Sequence, residues 1–186
     1  MKKNLFLVGS PPASGKTYVA KRVATQLENA VYLDKDTLIP LSKVAYQVAN
    51  EPYSRDSKFF NQYIRDVEYA AILDIAFEAL EFNNNVILNA PFTKEFRDSD
   101  YIEKLREKLI SYQADLVLIW VHCDIELIHQ RMEERNSERD KWKLQNWKAY
   151  IKTKDNSIPH LKEIIVVENT DEATVEQAIL TILKEV

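Results

Sequence analysis

The chain has 186 residues, of which 46% are hydrophobic, and this is enough for one domain with a sizeable core. Its formal net charge of −4 argues against binding to a nucleic-acid backbone, so we expect no nucleic-acid partner. Cys123 is the only cysteine, which excludes an intrachain disulfide and a cysteine-based zinc site and favours a cytoplasmic protein. No apolar run approaches the roughly 18 residues of a membrane span, so we expect no membrane partner.

Short β-rich runs alternate with amphipathic helical patterns along the whole chain. The predicted strands are 5–8, 31–33, 86–88, 116–121 and 164–167. The predicted helices are 16–28, 38–50, 56–82, 98–112, one that follows Asp124, 135–157 and one that begins near residue 174. This alternation predicts an α/β fold in three layers, one domain over residues 1–186, with helices on both faces of a parallel sheet. The carboxyl ends of all strands then share one edge, where ligands bind.

The first strand ends in a sequence typical of phosphate-binding loops. Residues 9–17 read G-S-P-P-A-S-G-K-T and lead directly into the first helix, which is the Walker A arrangement. Ser10 stands where the first glycine is expected and Gly9 comes one residue earlier, so either could fill that position. Both glycines of the chain lie in this loop, although glycine is usually about 7% of residues. We therefore predict that this loop cradles the phosphates of ATP.

Side chains and backbone groups of the loop have expected roles in binding the phosphates. Lys16 can reach the β- and γ-phosphates, and the hydroxyl of Thr17 can coordinate Mg²⁺. Backbone N–H groups of the loop and of the first helical turn face the anion, and the helix dipole adds partial positive charge. The predicted ATP-binding residues of this segment are Pro12, Ala13, Ser14, Gly15, Lys16, Thr17 and Tyr18.

Two carboxylates, Asp34 and Asp36, directly follow the second predicted strand. Phosphoryl transfer to a hydroxyl requires a carboxylate that orients and deprotonates the acceptor, and often a second one that holds Mg²⁺. We expect Asp36 to be the base and Asp34 to be an outer-shell metal ligand, and the pattern leaves open which of the two is the base. The alternative is that one of them only caps the next helix.

Arg131 and Arg135 lie four residues apart on one predicted helix, and Arg139 follows. Guanidinium groups that close over ATP would stabilise the transferring phosphoryl group and exclude water. We therefore expect a helical lid at about residues 131–157, in which Arg131 and Arg135 are catalytic and Arg139 binds ATP. The alternative is an ordinary solvated face, because acidic residues nearly neutralise this segment.

The third predicted strand ends in Asn89, where many phosphate-loop proteins place an aspartate. An amide brings no charge, which leaves Thr17 and the acids after the second strand to hold the metal. Side chains in this neighbourhood are candidates for binding the acceptor. The predicted acceptor-binding residues are Asp36, Arg55, Asn89, Phe92 and Arg97.

Taken together, these segments make the chain similar to a known group of enzymes. Residues 10–17, 34–36, 86–92 and 131–139 resemble the corresponding parts of small P-loop kinases of the nucleoside-monophosphate kinase-like group. These include ATP-binding kinases described as AAA-family ATPases and, more distantly, shikimate and gluconate kinases, chloramphenicol phosphotransferase and zeta toxins. The resemblance implies a five-stranded parallel sheet with the phosphate-loop strand in the middle.

The same resemblance implies roles for individual residues. It matches Asp36 to the catalytic aspartate, matches Arg131 and Arg135 to the lid arginines, and implies that Asn169 and Thr170 line the adenine pocket. The expected activity is transfer of the γ-phosphoryl group of ATP, with Mg²⁺, to a hydroxyl of a small molecule. The alternatives are a toxin-like kinase of a sugar nucleotide, and an ATPase or switch without a small-molecule acceptor. The identity of the acceptor and the oligomeric state stay open.

Overall fold

The computed structural model describes residues 2–152 and 155–184, without the side chains of residues 138 and 139. Its centre is a five-stranded sheet in the order β2-β3-β1-β4-β5, in which every neighbouring pair is parallel. The strands are β1 (Lys3–Gly9), β2 (Ala30–Asp34), β3 (Asn85–Asn89), β4 (Ala114–His122) and β5 (Ile164–Glu168). The expected sheet, with the phosphate-loop strand in the middle, is confirmed.

Helices connect the strands and cover both faces of the sheet. They are α1 (Lys16–Gln26), α2 (Ile39–Val48), α3 (Arg65–Phe82), α4 (Ser99–Ile110), α5 (Ile125–Arg135), α6 (Glu138–Gln145), α7 (Trp147–Lys152) and α8 (Glu172–Lys184). Two predictions need correction. The long third helix is preceded by one π-helical turn over Phe60–Ile64, and the predicted helix 135–157 is interrupted at Asn146. Over the described ranges, no helix has the length and hydropathy that a bilayer-spanning segment requires.

The alternation of side chains along β1 explains the three layers. Leu5 and Leu7 face one core, which is closed by α3 and α4, whereas Phe6 and Val8 face a second core, which is closed by α1 and α8. All four side chains are fully buried. A central parallel strand is covered on both faces, so its sequence is a continuous apolar run rather than an alternating one.

Helices α5, α6 and α7 form a small layer with its own core. Ile128 and Met132 of α5 pack with Tyr150 of α7, and Ala13 of the phosphate loop packs against this group. Arg135 and Lys143 both contact the buried carboxylate of Asp140, which holds α6 against α5. The predicted lid of residues 131–157 thus begins within α5, and the core of α5 and α7 contacts the phosphate loop directly at Ala13.

A buried carboxylate on α3 joins this helix to the turn after β2, to α2 and to the segment after α2. Glu68 accepts hydrogen bonds from Lys35 at 2.6 Å, from both terminal nitrogens of Arg55 at 3.0 and 2.7 Å, and from the hydroxyl of Ser42. Burial would raise the pKa of Glu68, but these donors outweigh it and lower the pKa to about 2. Burial also lowers the pKa of Lys35, an effect that Glu68 only partly offsets.

We expect Glu68→Gln to lower the free energy of unfolding by about 3 kcal/mol at pH 7, because it leaves Lys35 and Arg55 without their charge partner. The folded pKa of Glu68 lies below its unfolded value, so its contribution is present above about pH 5 and declines as the pH falls towards 2. Urea unfolding at pH 7, 5 and 3 measures this dependence. The matched control is Glu107→Gln on the exposed face of α4. A wild-type advantage over Glu68→Gln that is equally large at pH 3 and pH 7 would contradict this assignment.

Candidate active site

The phosphate loop ends in a helix N-terminus that has no side-chain cap. Gly15 lies in the left-handed region with φ +89°, and α1 begins at the next residue. The hydroxyl of Ser14 is buried and has no hydrogen-bond partner in the described chain. An uncapped helix N-terminus beside an unpartnered hydroxyl is suited to a phosphate group, which accepts from both. The loop therefore fits the triphosphate that its sequence predicts.

Gly15 is required for a second reason. A Cβ atom at this position would lie 1.9 Å from Nδ2 of Asn169. That nitrogen donates to the carbonyl oxygen of Ser14 at 2.7 Å. The segment after β5 thus braces the phosphate loop from outside, and this bond needs the space that a side chain at residue 15 would fill.

The surroundings of Gly9 and Ser10 indicate which of the two fills the first position of the phosphate loop. Gly9 is the last residue of β1, and a Cβ there would approach Phe92, Phe96 and the carbonyl oxygen of Pro91 to 3.0–3.1 Å. Ser10 opens the loop; its N–H donates to Pro91 O at 3.0 Å and its hydroxyl donates to the next carbonyl. Gly9 therefore serves close packing against the loop after β3, and Ser10 occupies the first position of the phosphate loop.

A polar cluster lies where β2 and β3 end next to α1. The Nδ2 atom of Asn89 lies 3.1 Å from the Thr17 hydroxyl, 3.0 Å from the Tyr32 hydroxyl and 2.8 Å from Oδ2 of Asp34. Tyr32 in turn donates to the same Asp34 oxygen at 2.9 Å. Burial, aided by Asp34, raises the pKa of Tyr32, so its hydroxyl remains a donor at neutral pH.

Tyr32 belongs to this cluster although it is not among the predicted site residues. The one signal in the sequence is its spacing of two residues from Asp34 on the same strand, which places both side chains on one face. That signal is weak, because tyrosine in a short strand is usually a packing residue.

The cluster is suited to a magnesium ion. Oδ1 of Asn89 is buried and has no hydrogen-bond partner within the described ranges, and the hydroxyl of Thr17 and carboxylate of Asp34 lie beside the same amide. Oxygen atoms of this kind are the ligands that Mg²⁺ prefers, often through water. The described residues contain no group of three His, Cys, Asp or Glu side chains able to hold a metal. An ion here would therefore need further oxygens from a bound phosphate.

Asp34 and Asp36 take different positions after β2. Oδ1 of Asp34 accepts from the N–H of Asp36 at 2.9 Å and so caps the 3₁₀ turn Lys35–Leu38. Asp34 is thus both a cap and a member of the polar cluster, so the capping alternative holds for it. Asp36 is exposed at the same edge of the sheet. The geometry agrees with a structural or metal role for Asp34 and an exposed position for Asp36.

A cavity of about 330 Å³ lies on the other side of the phosphate loop. It is lined by Gly15, Tyr18, Arg131, Asn169, Asp171 and Glu172, four of which are predicted site residues. Thr170 does not line this cavity; its hydroxyl is exposed and donates to Asp171 at 3.1 Å. The side chain of Arg139 lies outside the described residues.

The two predicted lid arginines have different partners. Arg131 donates to the carbonyl oxygen of Asn169 at 3.0 Å and to the sulfur of Cys123 at 3.3 Å, which places its guanidinium beside Gly15. Arg135 instead donates twice to Asp140, at 2.9 and 2.5 Å. The structure therefore brings Arg131 to the phosphate loop and engages Arg135 in holding α6.

Three predicted acceptor residues are engaged elsewhere. Phe92 is fully buried and stacks on Phe96 with ring centroids 5.4 Å apart, so the prediction that it faces the acceptor is wrong. Its apolar ring closes the core beneath the loop after β3. Arg97 donates to Asp155 and Ser157, which fastens the segment after α7. The guanidinium of Arg55 is paired with Glu68.

Solved structures share this fold over the whole chain. An inferred kinase of Chloroflexus aurantiacus has a TM-score of 0.67 at 15% identity, with both chains fully covered. The APS kinase of Mycobacterium tuberculosis, solved with AMPPNP and APS, has a TM-score of 0.62 at 15% identity and covers 100% of this chain and 99% of its own. A gluconokinase of Sinorhizobium meliloti has a TM-score of 0.58 at 16% identity, with 98% and 94% covered. At these identities the comparisons establish the fold.

No functionally curated protein matches the sequence. A family model described as AAA domain matches residues 5–155, which include the phosphate loop, the acids after β2, Asn89 and most of the lid. The match spans well over half of the chain and agrees with the resemblance found from the motifs. The chain belongs to the AAA domain family.

Proposed function

We propose that this protein is an ATP- and Mg²⁺-dependent kinase that transfers the γ-phosphoryl group to a hydroxyl of a small molecule. The observation that carries this proposal is the juxtaposition of three parts at one sheet edge. These are the uncapped loop around Gly15, the Thr17–Asn89–Asp34 cluster and the cavity beside Tyr18. The fold is that of proteins described as small-molecule kinases, which supports the same conclusion.

In the proposed reaction, different residues of the site have different roles. The acceptor hydroxyl loses its proton to Asp36 while its oxygen bonds to the γ-phosphorus, and the bond from that phosphorus to the β,γ-bridging oxygen breaks to release ADP. Lys16 and Arg131 stabilise the charge on the transferring group. Thr17, Asp34 and Asn89 would hold Mg²⁺, which supplies positive charge to the phosphates when bound.

Two alternatives use the same nucleotide site. An ATPase or switch would need the phosphate loop but no base for an alcohol, and the exposed position of Asp36 at the strand edge favours a kinase over it. A toxin-like kinase would share the chemistry and differ in its acceptor, a sugar nucleotide. Release of ADP that depends on an added alcohol separates the kinase from the ATPase.

We expect ATP with Mg²⁺ at about 100 times its Kd to raise the Tm by roughly 5–10 °C, since the ligand binds only the folded chain. GTP should raise it much less, and Lys16→Ala should abolish most of the ATP shift. Differential scanning fluorimetry measures these shifts. Lys104→Ala, which removes an exposed lysine on α4, is the control and should keep the wild-type response. A wild-type protein without any ATP shift would refute the proposed function.

Substitution of Asp36 and substitution of Asp34 should change different measured quantities. Asp36→Asn should lower kcat by about 10²- to 10⁴-fold and leave ATP affinity intact, because only the base is lost. Asp34→Asn should instead raise the Mg²⁺ concentration that half-saturates ATP binding, because a carboxylate beside Thr17 and Asn89 is neutralised. Steady-state kinetics and Mg²⁺ titrations of ATP binding test this pair. If Asp36→Asn retained wild-type kcat, the base would have to be another residue.

Substitutions of the two arginines predicted for the lid should also have different effects. Arg131→Ala should lower kcat by about 10²-fold or more with a smaller change in ATP affinity, because its guanidinium lies beside the phosphate loop. Arg135→Ala should mainly lower the Tm, because its partner is Asp140. Comparing kcat, ATP affinity and Tm for both variants gives the answer. Equal losses of kcat in the two variants would show that Arg135 also reaches the phosphate.

A further inference from the structure

The sheet divides the proposed active site into two halves. The cavity lined by Gly15, Tyr18 and Arg131 lies on the side of β4 and β5. The acids after β2, together with Asn89 after β3, lie on the opposite side of β1. Because the phosphate loop between the halves holds the transferred group, the acceptor must approach from the β2–β3 side. We call the polar groups of that side the acceptor half: residues 34–36, 55, 65, 68 and 95.

Two cations of the acceptor half, Lys35 and Arg55, are already paired with one carboxylate. Lys35 is 2% exposed and lies 2.6 Å from Glu68, and Arg55 binds both oxygens of the same carboxylate. Glu68 is itself 5% exposed. A bidentate pair of this kind is among the stronger charged hydrogen bonds in proteins, and it leaves the guanidinium engaged within the chain.

The other arginine of the acceptor half, Arg65, is also paired with carboxylates of the chain. Arg65 opens α3, donates to Glu95 at 2.7 Å and to Asp66 at 2.9 Å, and stacks on the ring of Tyr69. Glu95 is 7% exposed, so this pair is also shielded from water. The hydroxyl of Tyr69 accepts from the N–H of Phe92, which ties the pair to the loop after β3.

An anionic acceptor would therefore meet unfavourable charges. To bind Arg55 in the bidentate geometry that Glu68 occupies, it would have to displace Glu68 and leave that carboxylate buried with fewer partners, which is costly. It would also face the negative charges of Asp34 and Asp36. The lysines Lys21, Lys43, Lys58 and Lys94 on this side are exposed, where water weakens an ion pair.

From this pairing we infer that the acceptor is an alcohol without an anionic group, such as a neutral polyhydroxyl compound or one that carries an amine. This inference rests on the proposed kinase function and narrows it to one class of substrate. It opposes a sugar nucleotide, whose diphosphate is negatively charged. Glu68 and Glu95 are then specificity-determining residues, because they occupy the guanidinium groups that would bind an anion.

The test first fills the nucleotide site with AMPPNP and Mg²⁺, so that an added anion cannot enter the phosphate loop. Sulfate and malonate are then titrated by isothermal titration calorimetry at constant ionic strength. We expect the wild type to show no saturable binding that depends on Arg55 or Arg65. Saturable binding that Arg55→Ala or Arg65→Ala removes would overturn the inference.

A gain-of-binding variant gives the positive result. Glu68→Gln frees Arg55 and should bind sulfate saturably, with an affinity at least about tenfold above the detection limit, which the wild type and the control Glu107→Gln should not reach. Glu95→Gln makes the same test at Arg65 if Glu68→Gln does not fold. A folded Glu68→Gln or Glu95→Gln variant without this gain contradicts the specificity role.

The last test compares the turnover of matched neutral and acidic substrates. For a neutral sugar and its sugar acid, or a nucleoside and its monophosphate, the neutral member should have a kcat/KM at least about tenfold higher. An acid member that is the better substrate would overturn the inference and leave the kinase function standing. Failure to bind AMPPNP would instead refute the proposed function, so the two outcomes are distinguishable.

Discussion

The contact on which the site depends is the hydrogen bond from Asn169 to the carbonyl oxygen of Ser14. It joins the segment after β5 to the phosphate loop, and it exists only because residue 15 has no side chain. Arg131 is held on the other side of Asn169 through its carbonyl oxygen. One asparagine thereby fixes the loop, Arg131 and the wall of the cavity relative to one another, which is the kind of preorganisation that the proposed phosphoryl transfer requires.

A second constraint is that buried carboxylates must be paired with cations. Glu68, Glu95 and Asp140 are buried carboxylates, and each pairs with at least one cation. Apart from the Lys143–Asp140 pair, which lies within α6, these ion pairs join segments that are separate in the chain, so they position those segments as well as compensating the cost of burial. The proposed exclusion of anionic acceptors relies on the same pairs, so under that proposal one set of contacts serves both stability and substrate choice.

The polar cluster of Thr17, Tyr32, Asp34 and Asn89 shows how a neutral residue replaces a charged one. Asn89 is the partner of Asp34 in the register of β2 and β3, so its amide reaches the carboxylate and the hydroxyl of α1 together. A carboxylate at residue 89 would stand directly against Asp34, and two like charges at that distance repel. Asparagine avoids this repulsion and keeps an oxygen available beside Thr17.

The order of elements, the parallel sheet and the phosphate loop were predictable because they depend on local signals: short apolar runs, helical spacing and the residues from Ser10 to Thr17. The tertiary structure decided what those signals do not carry. It buried Phe92 in the core, paired Arg55 with Glu68 and Arg135 with Asp140, and brought Tyr32 to Asn89. The physical reason is that a charged or aromatic side chain acquires its role from partners on other elements of the fold, and one sequence alone does not reveal which partners will meet.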